Sequence, residues 1–227
     1  MADQTAELDW KDGTTPVSRR FDDPYFSVVD GLAETRHVFL AGNGLPGRFT
    51  SGFQIAELGF GSGLNLFATL IDWRAAKIDG PLRFTSFEAF PMDAADMDKA
   101  LSAFPEARAV AGPFLTQWAA GQRRIETDDL IADIRIGDAR KTLADWNGAA
   151  DAWFLDGFAP TKNPELWQAD LMQTVAEHTK PGGTCATYTA AGAVRRALSD
   201  AGFAVTRTQG FGRKRHMTTA KLATPYE

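Results

Sequence analysis

Short apolar runs recur along the chain, separated by stretches with helical spacing. Runs suited to strands lie at 53–58 (FQIAEL), 83–88 (RFTSFE), 132–136 (ADIRI), 151–155 (DAWFL), 184–189 (TCATYT), 203–208 (FAVTRT) and 216–222 (HMTTAKL). Each is a brief segment rich in β-branched and aromatic side chains, the pattern of a buried strand. Helical spacing covers 64–77, 91–103, 164–179 and 190–201. Asn163 and Pro164 supply an N-cap and a first helical residue for the third of these, and Pro181-Gly182-Gly183 marks its end. Strand–helix alternation predicts a parallel sheet covered on both faces. The last two runs are separated only by a short turn-like segment, so they read as a hairpin. The expectation is an α/β fold: a doubly wound, seven-stranded, mostly parallel sheet that finishes with an antiparallel strand. Residues 1–50 are mixed and turn-rich. They read as an N-terminal extension packed on a core formed by 51–227.

Composition narrows the class. With 227 residues, 44% apolar and 23% charged, the chain suits one globular domain with an appendage. No apolar run approaches the ~20 residues of a membrane span, so no membrane partner is expected. The opening MADQTAELDW has acids where a signal peptide would carry lysines and an apolar core, which predicts a cytoplasmic protein. The single cysteine, Cys185, excludes an internal disulfide and a multi-cysteine metal site. It lies in an apolar strand pattern and reads as a buried thiol; no metal is expected. The net charge of −5 argues against a generally basic, nucleic-acid-coating surface. Basic residues nevertheless cluster at Arg19-Arg20, Arg195-Arg196 and Arg213-Lys214-Arg215. Brought together by the fold, they would form a basic face on an acidic body.

The first strand run ends in Glu57-Leu58-Gly59-Phe60-Gly61-Ser62-Gly63, and a helical pattern opens at Leu64-Asn65. Glycines allow a tight turn and let a ligand approach the backbone, and the helix start beyond them offers free N–H groups. A dinucleotide fingerprint is spaced G-x-G-x-x-G. Here the spacing is G-x-G-x-G, with an acid two residues before the first glycine. That acid is ill-suited to a pyrophosphate. It suits a cofactor that carries an ammonium group and no phosphate, as S-adenosylmethionine does. Glu88 closes the second run, where a carboxylate can accept both ribose hydroxyls. Asp138 follows the third run in Ile136-Gly137-Asp138-Ala139, where it can accept the adenine amino group. Open α/β sheets bind ligands outside the carboxyl ends of their strands, and these acids lie at successive strand ends. Glu57, Gly59, Phe60, Gly61, Gly63, Asn65, Glu88 and Asp138 are therefore the cofactor candidates. The sheet, loop and acids together resemble the class I S-adenosylmethionine-dependent methyltransferases, whose fold is Rossmann-like.

In that architecture the donor methyl points toward the end of the fourth strand run. DAWFL continues there into Asp156-Gly157-Phe158-Ala159-Pro160. Methyl transfer is an in-line displacement that needs an aligned nucleophile with a free lone pair. An amine must first lose a proton. An acid at the rim, close to both cofactor and substrate, can take that proton or orient the amine; both roles are open to Asp156. Gly157 lets the backbone approach, Phe158 can stack on a planar group, and Pro160 stiffens the turn.

Seven stretches carry a more specific resemblance: FDDPYFS (21–27), ETRHVFL (34–40), ELGFGSGLN (57–65), FTSFEAFP (84–91), DAWFLDGFAPTKNPELW (151–167), PGGTCATYTAAGAVRRAL (181–198) and GFGRKRHM (210–217). In that order they resemble the methyltransferase domain of the MnmC family of bacterial tRNA-modifying enzymes. The resemblance extends from about Trp10 to the last strand run. It implies transfer of the methyl of S-adenosylmethionine to the exocyclic amine of 5-aminomethyl-2-thiouridine at the tRNA wobble position, giving 5-methylaminomethyl-2-thiouridine. It makes Asp156 the acid facing the amine and sets Phe158 beside the uracil. It assigns pocket closure to Tyr25 and Phe26, and anticodon-loop contacts to Lys162, Arg195, Arg196, Arg213, Lys214 and Arg215. Two-domain members add an FAD-dependent oxidoreductase that exposes the amine. No second glycine fingerprint is seen here, so coupling to another enzyme that installs the aminomethyl group is expected. The competing reading is a methyltransferase of the same fold acting on a small-molecule or protein amine.

Overall fold

From the N-terminal side, β1 (Leu8–Lys11), β2 (Thr15–Ser18) and β3 (Asp23–Pro24) form a small antiparallel sheet. There follow α1 (Gly31–Thr35), a π turn Arg36–Leu40 and a 3-10 turn Ala41–Asn43. The main sheet and its cover are β4 (Gln54–Leu58), α2 (Leu64–Ala76), β5 (Leu82–Glu88), α3 (Ala94–Leu101), α4 (Pro105–Ala119), β6 (Arg124–Thr127), β7 (Leu130–Ile136), α5 (Ala139–Thr142), β8 (Ala150–Leu155), α6 (Ala169–Glu177), β9 (Thr179–Thr187), α7 (Gly192–Asp200), β10 (Phe203–Gln209) and β11 (His216–Leu222). This computed structural model describes residues 5–27 and 30–224. The first four residues, part of the stretch on which the absence of a signal peptide is read, lie outside the described residues, as do 28–29 and 225–227.

The main sheet has the order β10-β11-β9-β8-β4-β5-β7-β6. Strands β9, β8, β4, β5 and β7 pair in parallel, as the alternation predicts. Strand order reverses at β4: the chain moves to β5 and β7 on one side and returns to β8 on the other. The carboxyl ends of β4 and β8 therefore flank the crevice where such sheets bind ligands.

Parallel strands covered on both faces are apolar on both faces. In β8, Ala152 and Phe154 join the hydrophobic cluster under α2 and α4, whereas Trp153 and Leu155 join the one under α6 and α7. The first cluster also takes in Leu32, Val38, Phe39, Leu40, Leu45 and Phe49 from the N-terminal segment. Arg48 ties that segment to the sheet, donating to the Asp151 carbonyl at 3.0 Å and the Thr184 hydroxyl at 2.6 Å.

Several elements differ from the sequence expectation. All seven expected strands form, and an eighth, β6, pairs antiparallel with β7 at the sheet edge. Only Ile125 of β6 is fully buried, so it leaves almost no apolar signal. The antiparallel strand β11 does not end the sheet: it inserts between β9 and β10. The helix expected at 91–103 is α3, and α4 follows it without a clear pattern, because two of its four buried positions are alanines, Ala107 and Ala111. The pattern at 164–179 splits into a 3-10 turn, Pro164–Trp167, and α6, because Gln168 is extended at φ −69°, ψ 152°. Asn163 makes no side-chain cap bond there. Pro181-Gly182-Gly183 does not end a helix but lies within β9, where an irregular register (Ala150 opposite Thr179, Ala152 opposite Thr184) absorbs it. Cys185 is a buried thiol in β9, pushed up to about 12 by burial.

Candidate functional site

A cleft of about 1770 Å³ opens at the carboxyl ends of β4, β5, β7 and β8, and the N-terminal segment and the β10–β11 loop complete its walls. Its floor is the glycine loop after β4. Gly59, Gly61 and Gly63 have φ of +86°, +54° and +77°, all in the left-handed region. A Cβ on Gly59 would lie 2.0 Å from the Asp156 carbonyl oxygen, so glycine is required where the ends of β4 and β8 meet. One backbone bond fixes this junction, Asp156 N–H to the Leu58 carbonyl at 3.1 Å, and a second, Gly59 N–H to the Phe87 carbonyl at 2.9 Å, ties the loop to β5 on the other side.

The acids cluster around this loop. Glu88, at the end of β5, accepts from the backbone N–H groups of Phe60 (2.9 Å), Gly61 (3.0 Å) and Phe90 (2.7 Å), and so holds the loop's shape. Glu57 is fully buried and does not line the cleft; its oxygens accept from Asn65 Nδ2 at 2.8 Å and Ser86 Oγ at 2.7 Å. Burial pushes its carboxyl well above the usual range, against the pull of those two hydrogen bonds. Asn65 opens α2 and donates with the same nitrogen to Asp156 Oδ2 at 2.7 Å. Among the described residues no other side chain hydrogen-bonds Asp156, which leaves its second oxygen available on the cleft. Burial raises the Asp156 carboxyl to about 7, opposed by the Asn65 bond.

The lip beyond Asp156 is fastened at three points. Tyr188 Oη donates to the Gly157 carbonyl at 2.7 Å, Trp167 Nε1 donates to the Phe158 carbonyl at 2.9 Å, and Ala159 N–H donates to Asp23 Oδ2 at 2.9 Å. Phe158 stacks on Phe21 (4.7 Å between centroids) and meets Tyr25 edge-on at 4.9 Å. Arg20 lies 4.6 Å over Phe90 in the same aromatic group. Phe26 packs against Phe104 beside it.

The remaining sequence candidates divide. Asp138 lines the cleft, but its carboxylate caps α5 through the Arg140 N–H and pairs with the Arg140 side chain at 2.6 Å; that hydrogen bonding holds its carboxyl below the usual range. Lys162 lines the cleft and reaches the Asp22 carbonyl, with Asp23 at 3.7 Å. Arg213 and Lys214 stand at the mouth; Lys214 bonds Glu34 at 2.9 Å and lies 4.1 Å over the Tyr188 ring. Arg215 is exposed just beyond. Arg195 and Arg196 are not brought into the cleft: they line a separate shallow hollow on α7, so the three basic pairs and runs do not merge around one opening. Sequence reasoning assigned no role to Thr35, Ser86, Tyr188, Glu34 and Asp23, although each lies in a stretch that carries the family resemblance.

The donor set fits S-adenosylmethionine. Glu57, expected beside the ammonium group, lies behind the cleft wall, but Glu88, Asp138 and Asp156 line the cleft around a bare glycine backbone, which suits hydroxyl and amino groups better than phosphate. Among the described residues no group of His, Cys, Asp or Glu is disposed to hold a metal ion. No helix among them is long and apolar enough to cross a membrane.

Comparisons with known proteins agree with this geometry. The chain is 44% identical, over 97% of its length, to the tRNA 5-methylaminomethyl-2-thiouridine biosynthesis bifunctional protein MnmC of Marinobacter nauticus. It is 45% identical, over 94%, to the protein of the same name from Caulobacter vibrioides. It spans 37% of the length of each. The crystal structure of MNMC2 from Aquifex aeolicus matches all of this chain and 74% of its own, with a TM-score of 0.75 and 28% identity. A family model described as S-adenosyl-L-methionine-dependent methyltransferase matches residues 105–223, slightly more than half the chain. The chain belongs to the family of S-adenosyl-L-methionine-dependent methyltransferases.

Proposed function

We propose that the protein methylates the exocyclic amine of 5-aminomethyl-2-thiouridine at the wobble position of tRNA, giving 5-methylaminomethyl-2-thiouridine. The observation that carries this reading is Asp156, an acid raised to about 7 that opens on the same cleft as the glycine loop and adjoins Phe158. The names carried by its relatives support the choice of tRNA.

When bound, S-adenosylmethionine supplies an electrophilic methyl on its sulfonium. The glycine loop with Phe60 and Asn65 would hold the methionine part, Glu88 the ribose, and Asp138 the adenine. An aminomethyl group is mostly protonated near neutral pH. Asp156, raised to about 7, accepts in its ionised form the ammonium proton on its free oxygen and leaves the nitrogen lone pair for attack. Phe158, with Tyr25 and Phe26 closing over it, offers a flat apolar wall to the uracil. Arg213, Lys214 and Arg215 meet phosphates of the anticodon loop at the cleft mouth. Lys162, at the lip, meets the same loop, and Arg195 and Arg196 meet phosphates further along the stem. The chemistry needs a free amine, so a separate active site must expose it, and the two are functionally coupled.

The test is transfer of labelled methyl from the cofactor to tRNA bearing 5-aminomethyl wobble uridine, with nucleoside mass spectrometry of the product. Label is expected on that tRNA and absent from tRNA lacking the amine. Equal labelling of both would sink the proposal. Turnover with no RNA present would favour a small-molecule or protein amine instead.

A further inference from the structure

Among the described residues Asn65 makes the one side-chain hydrogen bond to Asp156, and which way its amide faces decides what Asp156 meets. With Nδ2 toward the acids, Asn65 donates to Asp156 Oδ2 (2.7 Å) and Glu57 Oε1 (2.8 Å). Turned over, it would aim a carbonyl oxygen at two carboxyl groups. Neither acid enforces the choice by itself when protonated, since a carboxylic acid can donate to that oxygen. An ionised Asp156, an acceptor only, selects the donor face, and the far end of the amide is held from the N-terminal segment by a hydroxyl that fits that orientation. Thr35, the last residue of α1, is buried, and its Oγ1 donates to Asn65 Oδ1 at 2.8 Å. Asn65 is itself buried, at the inner wall of the cleft.

We propose that Thr35 is a positioning residue for the methyl-transfer reaction: by holding Asn65 Oδ1, it keeps the amide donors of Asn65 on Asp156. This rests on the reading of Asp156 as the acid that serves the substrate amine. It gives the N-terminal segment a part in the chemistry beyond covering the sheet. Asp156 is faced by Asn65 from α2, Glu34 from α1, Lys214 from the β10–β11 loop and Glu88 from β5, with buried Glu57 behind Asn65. Glu34 and Glu88 favour the protonated acid, and Lys214 and Asn65 favour the carboxylate. Of these, the Asn65 bond alone depends on a hydroxyl one step removed.

The sign follows. Without the Thr35 hydroxyl the amide is held less firmly on the Asp156 carboxylate and stabilises it less, so the acid holds its proton to higher pH. In Thr35→Val the acid limb of the kcat–pH profile, measured with tRNA bearing 5-aminomethyl wobble uridine, should move up by about one pH unit, the scale of one lost hydrogen bond to a charged acceptor. Below the limb kcat falls about tenfold, and raising the pH restores it. Thr35→Ser keeps the donor and should keep the limb in its original position. A purely structural defect would lower kcat at every pH and leave the limb where it was. The same shift should appear, without turnover, in a carbon-13 carboxyl titration of Asp156 on the cofactor-free chain. Thr35→Ala carries both measurements should the valine variant not fold. An Asp156 titration that does not move on loss of the hydroxyl overturns the proposal. Wild-type turnover by Asp156→Asn would instead overturn the reading of Asp156 as the acid, and the titration would still decide the role of Thr35.

Discussion

Asp156 couples stability to activity. Its carboxyl is raised to about 7 by burial, above the ~3.9 of an unfolded aspartate. The folded chain therefore holds this proton more tightly than the unfolded chain. That contribution to stability is complete below about pH 4 and is lost as pH rises through about 7. In the proposed role the base is the ionised form, so activity should rise over the range in which the fold loses this support. Asp156→Asn should lower methyl transfer roughly 100- to 10,000-fold. In thermal melts it should be more stable than the parent at pH 8, with the gap closing toward pH 4. Asp156 itself, the glycine loop and Glu88 were readable because each sits at a strand end in a recognisable local pattern. Thr35, Ser86 and Tyr188 were not. Each acts through one hydroxyl on a partner 30, 29 or 31 residues away in sequence, and the motif around it does not name that partner.

The elements that carry the site are joined by backbone at the junction of β4 and β8. Gly59→Ala sets a Cβ 2.0 Å from the Asp156 carbonyl oxygen at a φ of +86°. The strained backbone alone costs about 1–3 kcal/mol, and the contact adds to it by driving the lip away. A lower melting temperature together with weakened S-adenosylmethionine binding by calorimetry is expected; a variant that melts and binds like the parent would mean that β8 yields freely. The spacing of the glycines marked a tight turn here, but not that the end of β8 packs on it. Elements whose burial depends on small or few side chains were not legible. β6 buries Ile125 and little else, and α4 spreads its burial over Ala107, Ala111, Phe114 and Trp118. In β9 the pairing with β8 and β11 overrides the turn signal of Pro181-Gly182-Gly183, which sequence alone read as a stop.

Across the whole molecule, the basic residues are distributed rather than pooled. The net charge is −5, so association with a polyanion has to rely on local cations. Arg213 stands at the cleft mouth and Arg195 and Arg196 on a separate face. Replacing Arg213 with alanine should weaken tRNA binding and lower the magnitude of its salt slope by about one, read from binding titrations at several salt concentrations. Affinity that ignores salt would rule out a phosphate contact. The class of fold and the parallel order of its central strands followed from strand–helix alternation. The convergence of α1 and the β10–β11 loop on one cleft did not, because Glu34 and Lys214 are 180 positions apart and meet only through tertiary packing.

The amide between the two buried acids also sets where protons can travel. Asn65 Nδ2 donates to Glu57 and to Asp156 and accepts from neither. A relay needs a group that takes a proton on one side and releases one on the other, and an amide nitrogen is no such group. Asn65 is thus an insulator: it ties the charges of the two acids together while barring exchange between them. In the proposed reaction, the proton lifted from each substrate cannot drain into the core through Glu57. It must leave by the cleft it came from, so every turnover ends with Asp156 discharging to solvent before the next amine can be served.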